Sequence, residues 1–143
     1  MLSSLYYPLY TELSETPPFF PNQTNAMSTF DHTTLIHNIN QNLAPFRKSQ
    51  PDAMQAFGAL SKAAMAEGAI NAKNKELIAL AIGVTQHCSG CIGFHVKALV
   101  KLQCTRAELE EMLAICVYMG GGPALMYTAE VLAAWDSMSA VAQ

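Results

Sequence analysis

From residue 30 onward the apolar positions recur every three or four residues, and no stretch shows the alternation expected of a strand. Leu35, Ile36, Ile39 and Leu43 share one face behind a cap at Asp31 or Thr33, which predicts a first helix ending before Pro45. Ser49-Gln50-Pro51-Asp52 opens a second, with proline suited to the first turn, carrying Met54, Phe57, Leu60, Ala64 and Met65 inward and stopping near Gly68. A third follows Asn71 through Leu77, Ile78, Leu80, Ala81, Ile82 and Val84; apolar on most sides, it belongs at the centre. His87-Cys88-Ser89-Gly90-Cys91 interrupts it, and a fourth helix runs roughly from Ser89 to Leu102. Thr105-Arg106-Ala107-Glu108 reads as a capping box, with Cys104 and Leu109 placed as the staple across it, and starts a fifth helix that reaches Met119. Gly120-Gly121-Gly122 breaks the chain and Pro123 starts a sixth helix through Trp135. That glycine run lacks the lysine and strand of a phosphate loop and reads as a tight helix–helix turn. The expectation is an all-α fold, a single domain of about six helices with short connections and no internal repeat.

Composition adds an expectation about assembly. Of 143 residues, 51% are hydrophobic and only 13% charged, about half the usual charged share. A lone domain of that kind would leave apolar patches in water, so subunit interfaces are expected. The net charge of -3 supplies no footprint for nucleic acid. No run of 18 apolar residues is free of charges and turn signals, so no membrane span is expected. The helical domain is placed at residues 31–143. Residues 1–30 read as a weakly ordered N-terminal extension, with Pro8, Pro17, Pro18 and Pro21 and no Lys or Arg before Arg47. Met27 is an alternative start, and Tyr6, Tyr7, Tyr10, Phe19 and Phe20 could instead lie across a neighbouring subunit. The opening lacks the cationic start and apolar core of a secretory signal, which points to the cytoplasm, where structural disulfides are rare.

The candidate chemistry is concentrated in His87-Cys88-Ser89-Gly90-Cys91-Ile92-Gly93-Phe94-His95. On a helix, Cys88, Cys91 and His95 form one stripe, and Ser89 and Gly90 give the first turn freedom to bring the sulfurs together. A helix N-terminus favours a thiolate, and His95, one turn below Cys91, can take the thiol proton. These features make Cys91 the nucleophile and Cys88, at the exposed end, the resolving partner of a dithiol–disulfide cycle. Other readings stay open. Zinc could use Cys88, Cys91, His95 and His87, although no second ligand pair is visible elsewhere. Two buried cysteines without chemical use are the third reading. A thioredoxin-like use of C-x-x-C would need strands around the motif.

Glu76 opens the apolar third helix, where a carboxylate complements the first-turn dipole, especially if Asn74 caps. With Glu76, eleven residues, Cys88-x-x-Cys91, three residues and His95, the chain resembles the alkylhydroperoxidase D-like proteins of the carboxymuconolactone decarboxylase superfamily. The similarity runs from about Ala53 to Trp135. The resemblance implies an all-helical subunit assembling into homotrimers or homohexamers, acting as a thiol-dependent peroxidase or disulfide reductase. Its substrate would be a hydroperoxide or disulfide, its partner a thiol reductant, and no metal or other cofactor is implied. By position, Cys91 corresponds to the peroxide-attacking thiol, Cys88 to the resolving thiol, and Glu76 and His95 to a proton relay. Members without the cysteines act on lactones by acid–base chemistry, which makes decarboxylation through Glu76 and His95 the alternative activity. A non-catalytic zinc or interaction module is the alternative from another class.

The chain departs from the best-studied members at Gly90, where they carry a histidine; His87 is the candidate for auxiliary proton handling. Twelve residues of straight helix would put Glu76 about 18 Å from Cys88. A contact with His95 therefore calls for a third helix that ends early or bends at Gly83, or for a bridging water. Cys104 and Cys116 read as structural thiols, His32 and His37 as solvated, and Glu108, Glu110 and Glu111 as the wet face of the fifth helix. Tyr118, Tyr127, Trp135, Met112, Met119 and Met126 read as core or interface.

Overall fold

The computed structural model describes residues 31–140, and among them there is no strand. The expectations for residues 1–30 lie outside the described residues. Five helical spans follow in order: α1 His32–Ser49, α2 Pro51–Met65, α3 Ala72–Thr85, α4 Ser89–Lys101 and α5 Arg106–Ala140. The last is two helical arms in one span, because Gly121 interrupts it at φ 64, ψ -150. That backbone suits only glycine, and Pro123 restarts the helix behind it. The six helices expected from the pattern are thus present, with the fifth and sixth nearly continuous.

Helices α3, α4 and α5 pack on one another, α1 lies along α4, and among the described helices α2 touches α1 and α3 alone. The core follows from the periodicity: Leu80 and Val84 of α3, Ile92, Val96 and Leu99 of α4, and Leu109, Leu113, Cys116, Val131 and Trp135 of α5. Each large side chain withdrawn there contributes about 1.5–3 kcal/mol. The span Arg106–Ala140 is long and apolar enough to cross a membrane by composition. One of its faces, with Leu109, Leu113, Cys116, Val131 and Trp135, packs in the core, and Gly121 divides the span.

The local signals at α5 hold. Thr105 N–H donates to Glu108 Oε2 at 2.8 Å and Glu108 N–H donates to Thr105 Oγ1 at 3.2 Å, closing the capping box. Glu108 is also paired with Lys73 and Glu110 with Arg106. Asp31 caps α1 by accepting from Thr33 N–H at 2.9 Å. Asn71, rather than Asn74, caps α3, which moves Glu76 out of the first turn.

Three expectations are corrected. Pro45 does not end α1, which continues to Ser49. A proline removes one backbone donor, and the Arg47 guanidinium spans that stretch by donating to Asn40 O and Oδ1. The face of α2 expected to point inward has no buried residue; Phe57 and Leu60 are each 66% exposed. Periodicity marks a face that wants cover, and the described residues of one chain do not provide it. His32, expected in solvent, is 1% exposed, with its Nε2 2.9 Å from Glu130 Oε1 on α5. His32 precedes Ile36 by one helical turn on the apolar stripe of α1 and is buried with that face. Among the aromatic and methionine candidates, Trp135 enters the core and Met112 packs against it. Tyr118, Met119 and Met126 are exposed.

Candidate functional site

Helix α3 ends in a backbone lock. Cys88 N–H donates to Gly83 O at 2.9 Å and His87 N–H to Val84 O at 3.1 Å, the paired bonds of a Schellman motif. His87 holds the left-handed position with φ 56, where glycine is the usual residue. Its ring lies 4.8 Å from that of Tyr127, stacked at 14°, an aromatic contact that favours the turn. His87 therefore shapes the approach to the motif, with its ring laid on α5.

Cys88 follows as the N-cap of α4, its Sγ accepting from Cys91 N–H at 3.2 Å. It is a cap and not a residue of the helix proper, so the stripe expected of Cys88, Cys91 and His95 holds only for the latter two. Capping frees the backbone to bring the cysteine Cα atoms to 5.2 Å, and the two sulfurs are bonded as a disulfide. Both cysteines are half-buried. The Cys91 N–H and the positive end of the α4 dipole stand at the Cys88 sulfur, a setting that favours negative charge.

Glu76 Oε2 stands 2.6 Å from His95 Nδ1. The pair is partly screened from water, at 17% and 29% side-chain exposure. No bend is needed: α3 runs unbroken through Gly83. Because α3 stops at Thr85, the rise from Glu76 is about 13.5 Å and the return from Ser89 to His95 about 9 Å. The remaining 4–5 Å, roughly, lies within the reach of two long side chains. Gly83 has another use, since a Cβ there would lie 3.1 Å from Cys91 Cβ. Its bare backbone lets α4 come close enough for the pair to meet. A carboxylate only accepts, so Nδ1 is the donor in this contact and Nε2 is the other ring nitrogen, available to exchange a proton.

Cys104 and Cys116 are free, buried thiols. Burial pushes both up from the ordinary thiol range, which suits packing and not nucleophilic attack. Among the described residues, no three His, Cys, Asp or Glu side chains converge to hold a metal ion. His87, the fourth ligand of the zinc reading, is stacked on Tyr127. His32 and Glu130 form a second histidine–carboxylate pair that periodicity did not reveal.

A helical subunit with a half-buried C-x-x-C at a helix start and a glutamate–histidine pair beside it defines a class of protein, and comparison with known proteins gives it a family. The carboxymuconolactone decarboxylase family pattern matches residues 51–134, and the chain belongs to that family. An uncharacterized protein of Cupriavidus necator is 40% identical over 112 residues, which is 78% of this chain and 99% of that one. An uncharacterized protein of the cox locus of Paracoccus denitrificans is 34% identical over 83 residues, 58% of this chain and 75% of its own. The crystal structure of an apo carboxymuconolactone decarboxylase family protein from Legionella pneumophila superposes with a TM-score of 0.74 at 51% identity. It matches 76% of this chain and 96% of that chain. The superfamily includes the alkylhydroperoxidase D-like proteins, as the resemblance implied.

Proposed function

We propose that the protein is a thiol-dependent peroxidase or disulfide reductase cycling the Cys88–Cys91 pair. The observation that carries this reading is the Glu76–His95 contact, one helical turn from Cys91 on α4. In the reduced state His95 Nε2 takes the Cys91 proton, directly or through a water, while Glu76 stabilises the imidazolium. The Cys91 thiolate attacks the terminal oxygen of a hydroperoxide; the O–O bond breaks, an alcohol leaves after protonation, and Cys91 becomes a sulfenic acid. The Cys88 thiol displaces that oxygen as water and forms the disulfide. A dithiol reductant then attacks the disulfide, leaving oxidised itself and returning two thiols to the protein. With a disulfide substrate, Cys91 attacks sulfur and Cys88 releases the second thiol. His87, stacked on Tyr127, takes no proton in this scheme.

The proposed setting is a cytoplasmic homo-oligomer, a homotrimer or homohexamer, with neither nucleic acid nor membrane as partner. Its support is the uncovered apolar surface: Phe57 and Leu60 of α2, and Ile78 and Ile82 of α3, are exposed in one subunit. No cofactor is assigned.

Peroxide consumption with a panel of dithiol donors tests the activity. Turnover is expected with wild type and is lost with Cys91→Ser or Cys88→Ser. A Cys88→Ser, Cys91→Ser double variant that still consumed a lactone acid would move the assignment to acid–base decarboxylation through Glu76 and His95.

A further inference from the structure

We propose that Ile39 of α1 is a specificity-determining residue for Cys91, an apolar roof that admits small reagents to the sulfur and holds back bulky ones. The inference rests on the thiol reading above. A Cβ placed on Gly90, between the two cysteines, would lie 3.0 Å from Ile39 Cδ1. The end of Ile39 is therefore seated on the bare backbone of the motif. In the resembling family a histidine stands at this position; here the space is taken from another helix.

The roof is one end of a longer contact. His32, Ile36 and Ile39 fall at helical spacing along one stripe of α1. A Cβ on Gly93 would lie 2.6 Å from Ile36 Cγ2 and 3.6 Å from the His32 ring. His32 is fastened to Glu130 of α5. This end of α1 is held on both α4 and α5. Beyond Ile39 every residue from Asn40 to Ser49 is exposed, so Ile39 is the rim of the cover and its last partly buried residue. Trimming the rim opens the approach to Gly90 and Cys91 while Ile36 and the His32–Glu130 contact still hold the helix. Thiol substitution requires the attacked atom to line up with the sulfur, and a branched side chain fixed beside that approach penalises wide reagents more than narrow ones.

The test uses the full chain, reduced and freed of reductant, with modification of Cys91 followed by peptide mass spectrometry. Iodoacetamide is the small probe and a polyethylene glycol maleimide the bulky one. Ile39→Ala is expected to raise the bulky rate about tenfold, the equivalent of removing about 1.4 kcal/mol of barrier, and the small rate less than about twofold. Ile39→Val, which keeps most of the packing, should fall between Ile39→Ala and wild type even if the alanine variant folds poorly. Leu43→Ala, one turn farther along exposed α1, should match wild type. Equal factors for both probes, or no change with either, would overturn the proposal. Its failure is separable from that of the thiol reading, which fails in wild type alone if Cys91 reacts no faster than Cys104 and Cys116.

Discussion

Glu76 and His95 lie 19 positions apart in sequence and 2.6 Å apart in space. Each sits on a different core helix, and the tight turn between those helices sets the meeting. The contact orients the imidazole, so the variants that break it should act on Cys91 without touching sulfur. His95→Ala is expected to lower peroxide turnover at least about 100-fold, the lower range for loss of a general base. Glu76→Gln, which keeps a hydrogen-bonding group but removes the charge, should cost less and shift the pH profile of Cys91 alkylation upward. An unchanged profile in both variants would end the relay.

Cys104 and Cys116 should be silent toward iodoacetamide in the native protein at pH 7, because burial raises both thiols and covers them. They should react only after denaturant is added. Native labelling of either at the rate of Cys91 would contradict the assignment.

The Glu108 carboxyl is held down to about 2 by Lys73, aided by the Thr105 N–H and hydroxyl, from an ordinary value of 4.5. A folded-state value below the unfolded one contributes stability that is complete above about pH 4.5 and lost as pH falls toward 2. Thermal melts across that window should show a steeper acid loss in wild type than in Glu108→Gln. Equal slopes would mean that the pairing does not persist in solution.

Thr105→Ala removes the hydroxyl that receives Glu108 N–H, and a lost cap of this kind costs about 1 kcal/mol. Urea unfolding should show that loss with an unchanged slope. A larger loss with a changed slope would point to a rearranged α5.

Phe57→Asp or Leu60→Asp places a charge on the uncovered face of α2. Sedimentation should then show a smaller species than wild type, with the helical circular dichroism retained. A wild-type protein that sediments as a monomer would remove the proposed assembly.

Much of this was legible in the order of residues. Local signals sufficed where the physics is local: caps at Asp31 and Thr105, the break at Gly121, the core stripes of α3 to α5, and the cysteine spacing at the start of α4. Each depends on groups within one or two helical turns, so sequence alone determined the helices and brought the two sulfurs within reach. Tertiary structure decided what local rules do not contain. Pro45 stays inside a helix whose other end is anchored by Ile36 and by His32 on Glu130, and α2 leaves its apolar face open because none of the described residues covers it. The close approach of α4 to α3 at Gly83 and the seat of Ile39 on Gly90 arise from how helices cross. A crossing is set by contacts summed over whole faces of two helices, and no window of one helix carries that sum.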